Sequence, residues 1–314
     1  MRATSAMMAP MSGSRRHVIA ASARVVALPA PALVLGAIVS VQFGAAVAAG
    51  LIRELGPLLT VTIRLDVAAV ILMVFARPSL RGRTRRDWVA MALLGLSLAA
   101  MNLAFYQAIA RLPLGVVTTI EFLGPLGLAA AASRRPRDIL AVVVALAGVV
   151  AVSGALTASW DGLDPLGFAF SIAAAVCWAA YILCNRAVGQ RWPQLDGLAF
   201  AMGAAALLVT PLGIAGAHGV SISAAQLVAG ALIGILSSVV PYSLELLALR
   251  RIDTRMFGIL LSLEPAFAAL AGLLVLGQTL AVSQVVGMAL VVAASAMVMA
   301  AHRGAPEEQA AEIG

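Results

Sequence analysis

The sequence contains no lysine, few charged residues of any kind, and very little cysteine or histidine. Charged residues make up 11% of its 314 residues and hydrophobic residues 62%, whereas a typical soluble domain is about 25% charged. A soluble domain covers its surface with polar side chains, and this chain has too few of them. The shortage of charge therefore excludes a soluble globular protein and predicts that lipid surrounds most of the surface.

Two cysteines and three histidines leave little material for a disulfide, a metal centre or a histidine proton relay. Cys177 and Cys184 lie seven residues apart in one apolar run, too far apart along a helix for a disulfide of normal geometry. The histidines, His17, His218 and His302, lie outside the apolar runs or at their ends. No CxxC pair or His-rich tract is present. The sequence thus predicts no metal site, no cofactor and no histidine that carries protons inside the membrane.

Other function classes lack their sequence signatures. The net charge of +7 comes from arginines scattered between apolar runs, so the sequence does not predict a nucleic-acid-binding surface. The absence of a Walker motif excludes ATP hydrolysis by this chain. No HExxH, Gly-x-Ser-x-Gly or His–Asp arrangement is present, which makes an intramembrane enzyme only a remote alternative. We therefore expect a protein that is not an enzyme.

Ten apolar runs are long enough to cross a membrane as helices. A bilayer core about 30 Å thick requires about 20 apolar residues per helix. The runs begin near Ala30, Pro57, Trp88, Pro113, Ile139, Pro165, Leu195, Ala224, Met256 and Leu280. The sequence therefore predicts an all-α integral membrane protein with ten transmembrane helices.

The arginines indicate which way these helices run. In the predicted topology, 18 of the 21 arginines lie on one side of the membrane, in the two tails and in alternate connections. Connections rich in arginine stay in the cytoplasm. Both termini are therefore predicted to be cytoplasmic, and residues 1–29 are interpreted as a cytoplasmic tail rather than a cleaved targeting segment.

The two halves of the chain resemble each other at an offset of about 140 residues, the pattern expected of an internal repeat. The segment from Arg111 to Pro125 parallels the segment from Arg251 to Pro265. With five spans per copy, the second copy inserts upside down, as in secondary transporters whose substrate site lies near the midplane. The predicted organisation is an N-terminal tail (1–29), a first five-helix repeat (30–156), a second five-helix repeat (164–301) and a cytoplasmic C-terminal tail (302–314).

Several motifs resemble the EamA family of the drug/metabolite transporter superfamily, in its threonine/homoserine exporter-like branch. They are Ile-Glu-Phe-Leu-Gly-Pro at 120–125, Ser-Arg-Arg-Pro at 133–136, Cys-Trp-Ala-Ala-Tyr-Ile-Leu at 177–183, Pro-Tyr-Ser-Leu-Glu at 241–245 and Leu-Glu-Pro at 263–265. The resemblance covers roughly residues 30 to 300. It implies ten helices in the inner membrane of a bacterium and the export of small amino acids. The chain departs from the family at Gln278, where the family usually carries Glu.

Five ionisable residues lie inside predicted spans: Arg64, Asp66, Glu121, Glu245 and Glu264. Each costs about 2.5–3.5 kcal/mol on insertion scales, so each requires a partner or a function. Arg64 and Glu121 lie at similar depths, about 10–12 Å from the outer ends of their spans. They are candidates for binding the carboxylate and ammonium of an amino acid; the alternative is a permanent ion pair that locks two helices together.

The remaining three carboxylates are assigned by position. Glu264 is about 12 Å inside its span, and Glu121 and Glu264 are the candidate proton carriers because no histidine is available. Asp66 is expected to face another helix or a water-filled cavity. Glu245 lies near the cytoplasmic end of its span and is expected to reach the interface or to pair with Arg250 or Arg251.

Polar side chains and prolines complete the predicted site. Asn102, Tyr106 and Tyr181 are candidates to line the same cavity as Arg64 and Glu121, although each is also compatible with helix packing. A proline lacks an N–H and frees the carbonyl four residues earlier. Helix breaks are therefore predicted at three prolines inside spans: Pro125, Pro241 and Pro265.

Together these features predict a secondary active transporter that exports small amino acids such as threonine or homoserine, driven by proton entry. The alternative within transport is an exporter of drugs or other metabolites from the same superfamily. The expected partners are a small-molecule substrate and the lipid bilayer, with no nucleic acid. The sequence is compatible with either a monomer or a homodimer.

Overall fold

The computed structural model describes residues 28–112, 114–153, 164–217, 221–276 and 281–311. Within those ranges all regular secondary structure is helical. In chain order the elements are α1 (Ala30–Ala76), α2 (Arg85–Ile109), α3 (Leu114–Ala132), α4 (Pro136–Val152), α5 (Pro165–Arg191), α6 (Asp196–Gly216), α7 (Ala224–Gly234), a π-helical turn (Ile235–Val239), α8 (Val240–Leu249), α9 (Thr254–Leu261), α10 (Glu264–Leu276) and α11 (Val282–Ala311).

The first helix contains two segments that meet at Gly56. Gly56 has φ of 77° and ψ of 164°, which is not helical. Only glycine adopts such a backbone without steric cost, and Pro57 begins the next segment with its φ already fixed for a helix. The break lies where the sequence places the boundary between the first two predicted spans.

Six helical segments in the described part of the chain are long and apolar enough to cross a membrane. They are Gly50–Ala76, Arg85–Ile109, Pro165–Arg191, Asp196–Gly216, Ala224–Leu249 and Val282–Met299. Their outer faces expose large apolar side chains, such as Phe75 at 74% and Leu207 at 78%. Exposed apolar surface of this kind is unfavourable in water but favourable in contact with lipid.

Small residues allow helix backbones to approach closely in the interior. A Cβ placed on Gly124 of α3 would lie 2.1 Å from the Ala175 carbonyl oxygen of α5. Gly258 of α9 lies just as tightly against α3, with its Cβ position 2.5 Å from the Pro125 oxygen. Without a hydrophobic driving force between helices in lipid, such van der Waals contact holds the bundle together.

The glycines Gly230 and Gly234 pack against α1, as their four-residue spacing predicts. A Cβ at Gly230 would lie 2.4 Å from Ile63, and one at Gly234 would lie 2.9 Å from Val67. Residues four apart share one helix face. This pair therefore forms a close contact between α7 and α1.

The arginine-rich connections meet one another at one end of the bundle, here called the arginine-rich end. Arg255 at the start of α9 forms an ion pair with Asp138 at the start of α4. Arg250 donates to the carbonyl oxygens of Gly189, in the last turn of α5, and of Trp192 and Gln194, between α5 and α6. Several of the connections that the sequence places in the cytoplasm are thus in mutual contact.

The opposite end has its own polar contacts. Arg111 lies 3.6 Å from the Asp164 carboxylate. Gln226 at the start of α7 donates to Glu54 at 2.8 Å. These contacts tie together connections that the sequence places on the periplasmic side.

The all-helical class is confirmed for the described residues, and their helices begin within a few residues of the predicted runs. The count of ten spans, the inverted repeat and its boundaries stay predictions.

Two details of the structure differ from the sequence prediction. The helix α11 continues to Ala311, well into the segment interpreted as a tail, and α3 runs through Pro125 without interruption, so the break predicted there is wrong. Gln278 and Pro113 lie outside the described residues.

Candidate functional site

The π-helical turn between α7 and α8 places two serines in the interior. The Val240 N–H donates to the Ile235 oxygen, five residues earlier, which widens the helix by one residue. Pro241 follows at once and has no N–H to donate. Ser237 and Ser238 are buried as a result, at 5% and 0% exposure.

Arg64 of α1 is held by this turn. Its Nε donates to the Ser238 hydroxyl at 2.8 Å, and its Nη2 donates to the Ser237 carbonyl oxygen at 2.7 Å and the Tyr242 hydroxyl at 3.1 Å. All three acceptors are neutral, so the guanidinium keeps its full positive charge. The Tyr106 hydroxyl also lies within hydrogen-bonding reach of the guanidinium, and the bonds to Ser237, Ser238 and Tyr242 use only Nε and Nη2.

The direct Arg64–Glu121 ion pair offered by the sequence is not formed. None of the ion pairs among the described residues includes either side chain. The similar depth of the two residues does not bring them into contact, because the Arg64 guanidinium points toward the serines of the π-helical turn. Arg64 nevertheless interacts electrostatically with the carboxyl groups of Glu121 and Glu264, which also interact with each other.

The two carboxyl groups lie at different kinds of position, one inside a helix and one at the start of a helix. Glu121 lies in the middle of α3, four residues before Pro125. Glu264 begins α10, where the chain resumes a helix after a short non-helical turn from α9, and Pro265 follows it. Both residues are half-buried, and the described residues form no hydrogen bond to either carboxyl group.

Asn102 and Tyr106 of α2 lie on the same side as Arg64. The Asn102 amide donates to the Leu98 oxygen at 2.8 Å and to the Tyr242 hydroxyl at 3.5 Å. Tyr106 is 5% exposed and interacts electrostatically with Arg64. We refer to Arg64, Asn102, Tyr106, Glu121, Tyr181, Ser237, Ser238, Tyr242, Glu245 and Glu264 as the central polar cluster.

Glu245 belongs to this cluster, and its predicted place at the membrane interface is wrong. It is 8% exposed, and its carboxylate accepts the Tyr181 hydroxyl proton at 2.7 Å. Arg250, its predicted partner, instead binds backbone carbonyls between α5 and α6. The other predicted partner, Arg251, donates to the Leu28 oxygen. Glu245 lies on the face of α8 that points into the bundle. Arg250 and Arg251 follow the end of α8 and therefore do not share that face.

Asp66 lies apart from the cluster, on the lipid side of α1. It accepts the Thr210 hydroxyl of α6 at 2.6 Å. It borders an open groove lined by apolar residues such as Val70, Leu207 and Ile214. The structure therefore places Asp66 against another helix, one of the two positions expected from the sequence.

Sequence reasoning missed three members of the central polar cluster: Ser237, Ser238 and Tyr242. The helical spacing of Ser238, Tyr242 and Glu245 gives a detectable signal, since positions i, i+4 and i+7 lie on one face. The π-helical turn that brings Ser237 to the same region has no such signature. Within the described residues, no group of three His, Cys, Asp or Glu side chains is arranged to hold a metal ion.

Comparison with known proteins agrees with this architecture. The model of the EamA-like transporter family matches residues 165–300. A protein of known crystal structure superposes with a TM-score of 0.73 at 21% identity, covering 87% of this chain and 97% of that one; this likeness concerns the fold alone.

Two relatives are similar over most of their length. They are the threonine/homoserine exporters RhtA of Escherichia coli (strain K12) and Salmonella typhimurium (strain LT2), each 35% identical over 263 residues. The alignment covers 84% of this chain and 88% of each exporter. The motifs, the apolar helices and this similarity together show that the chain belongs to the EamA-like transporter family of membrane proteins.

Proposed function

We propose that this transporter is a secondary active exporter of small amino acids of the threonine and homoserine type. On this proposal it works in a bacterial inner membrane, with both termini in the cytoplasm, and couples export to proton entry. The two relatives named above export threonine and homoserine, and their similarity to this chain supports the substrate class.

The observation that carries the proposal is the arrangement around Arg64. Its Nε and Nη2 are engaged by Ser237, Ser238 and Tyr242, which fixes the plane of the guanidinium. On this proposal Nη1, which these three residues do not bind, donates to one oxygen of a substrate carboxylate, a charge-assisted hydrogen bond that a low dielectric strengthens. Glu121 and Glu264 supply negative charge for the substrate ammonium.

The same two carboxyl groups suit proton coupling. When both are ionised they repel each other, and either a proton or a substrate ammonium relieves the repulsion. A site that holds either a proton or a substrate ammonium, but not both at once, exchanges protons for substrate. This competition is the minimal requirement of an antiporter.

The function is tested with purified protein in liposomes. Radiolabelled threonine, homoserine and a panel of other amino acids are supplied, with and without an imposed pH gradient. The proposal expects transport of threonine or homoserine that the gradient accelerates. Transport of organic cations or other metabolites, with none of any amino acid, would instead support the drug or metabolite exporter.

The carboxyl groups give a separate prediction. Glu121→Gln and Glu264→Gln are each expected to reduce transport driven by a pH gradient, because an amide cannot take up or release a proton at these pH values. Asp66→Asn is the matched control, since Asp66 faces Thr210 outside the cluster. If both glutamine variants keep gradient-driven transport at the wild-type rate, another group or ion couples transport.

The orientation is predicted from the arginines. Reporter domains that are active only in the cytoplasm, fused to either end of the chain, are expected to be active. A fusion to the C-terminus that is active only in the periplasm would contradict both the even number of spans and the inverted repeat.

A further inference from the structure

Glu245 lies deeper than sequence reasoning placed it, and neither the fold nor substrate binding explains why. It sits in the interior of α8 within electrostatic range of Glu264, and Tyr242 on its own helix is also near it. Its carboxylate is bound by Tyr181 of α5 at 2.7 Å. A second buried carboxyl group near a proton-coupling candidate requires a function of its own, because burial without an ion pair is costly.

A further hydrogen bond connects the Tyr181 hydroxyl to Asn185. The Asn185 amide donates to the Tyr181 oxygen at 2.9 Å. The two residues are four apart on α5, so they lie on one face of the helix, with Asn185 about 6 Å nearer its end. The contacts therefore form a line from Glu264 past Glu245 and Tyr181 to Asn185.

Asn185 is fully buried, yet its side-chain oxygen has no hydrogen-bond partner among the described residues. Buried acceptors in folded proteins are almost always satisfied, by protein or by an ordered water. The next residue, Arg186, donates to the Ile252 oxygen at the arginine-rich end of the bundle. The unsatisfied oxygen thus lies between the central polar cluster and that end.

We propose that Glu245, Tyr181 and Asn185 form the exit path by which a coupled proton leaves the central polar cluster toward the arginine-rich end. The inference rests on the proposed proton-coupled export. It adds the route and the residues: Glu245 as the last carboxyl carrier, Tyr181 as the hydroxyl that passes the proton, and Asn185 as a positioning residue.

The transfer conserves protons and changes no other bond. The Glu245 O–H bond breaks as its proton passes to the Tyr181 oxygen, while the proton of Tyr181 passes to a water held by the Asn185 oxygen. Glu245 is left as a carboxylate, Tyr181 is again neutral, and the excess proton is on water. Rotation of the Tyr181 hydroxyl toward Glu245 then restores the arrangement in the structure, where Tyr181 donates and the carboxylate accepts.

Two assays separate this path from a role in binding substrate. Exchange of labelled for unlabelled threonine at equal pH requires substrate binding and movement of the carrier, but no net release of a proton. Accumulation of threonine under an imposed pH gradient, with the lumenal pH followed by a dye, requires release. Both are measured on the same liposomes.

Tyr181→Phe is the decisive variant, because it removes the hydroxyl and keeps the buried ring. We expect gradient-driven accumulation and the lumenal pH change, each divided by the rate of equal-pH exchange, to fall on the order of tenfold or more. Asn185→Leu is expected to do the same, because it removes both the N–H that binds Tyr181 and the oxygen that would hold the water. Ser171→Ala removes another buried hydroxyl from α5, bonded only to its own helix, and should behave as wild type.

Three results would overturn the inference. If Tyr181→Phe lowers exchange as much as accumulation, Tyr181 binds substrate. If it keeps gradient-driven accumulation, the proton leaves by another route. If the wild-type protein exchanges threonine but a pH gradient drives no accumulation, proton coupling itself is absent, and the proposed function fails together with its exit path.

Discussion

Replacement of Arg64 by lysine is expected to weaken amino-acid transport by roughly one to two orders of magnitude in apparent affinity, and replacement by alanine to abolish transport. A lysine ammonium is a point charge on a flexible stem and cannot bind Ser237, Ser238 and Tyr242 while also presenting a donor to substrate. Loss of a hydrogen bond to a charged group costs about 1.5–3 kcal/mol, which sets this range. Threonine flux over a range of concentrations, normalised to protein in the membrane, measures the effect.

Arg191→Lys is the matched control for Arg64→Lys. Arg191 lies 3.7 Å from the Asp87 carboxylate at the arginine-rich end, and its side chain is 45% exposed. Exposed ion pairs of this kind contribute about 0–1 kcal/mol. We therefore expect the control to transport at the wild-type rate.

A charge swap distinguishes substrate binding from a structural role of Arg64. In a double variant with Glu at position 64 and Arg at position 121, the new carboxylate faces the Ser237 carbonyl oxygen, and neither group has a proton to donate. The swap should therefore remain inactive even where the protein reaches the membrane. Recovery of transport in the double variant would show that the two side chains act only as a charge pair.

Gly124→Ala is expected to lower the thermal stability and the membrane abundance of the transporter more than any other conservative change in α3. The new methyl group would lie 2.1 Å from the Ala175 carbonyl oxygen and 2.9 Å from its carbon. These are backbone atoms of α5 and cannot rotate away, so the two helices must separate. Overpacking costs about 1–3 kcal/mol, and the displacement of Glu121, three residues earlier, should reduce transport as well.

Gly127→Ala provides the comparison within the same helix. A Cβ at Gly127 meets no atom within 4 Å, so this change adds a methyl group to the lipid-facing side. It should leave the melting temperature in detergent unchanged or slightly raise it, since alanine favours helix more than glycine does. Equal melting temperatures for the two variants would show that α3 and α5 are not packed this closely.

The helical class followed from the sequence because composition and length of the apolar runs are properties of single segments. The boundary at Gly56 and the contact at Gly230 and Gly234 were also local, since glycine spacing and chain direction decide them. The uninterrupted course of α3 through Pro125 was not local. There the carbonyl without a helical donor is tolerated within the bundle, and nothing in the sequence states how neighbouring helices accommodate it.

The clustering of polar side chains was predicted in outline, as residue types at a given depth, and their role in binding substrate stays a prediction. Arg64, Asn102, Tyr106 and Tyr181 do meet in the interior, as polar residues inside membrane spans are expected to do. Which of them bond to one another could not be predicted, because rotation about the helix axis decides it. One extra residue in the π-helical turn rotates Ser237 and Ser238 toward Arg64. Arg64 therefore bonds to these serines rather than to Glu121.

The contact between α4 and α11 also has a consequence for the order of synthesis. The two helices contact each other at a glycine of each. A Cβ on Gly148 would lie 2.9 Å from the Gly287 oxygen, and one on Gly287 would lie 2.7 Å from the Gly148 oxygen. The ribosome makes α4 about 130 residues before α11 begins. The α4 glycine face therefore lacks its α11 partner until α11 has been made, so the first half of the transporter reaches its final packing only after a helix of the second half is present.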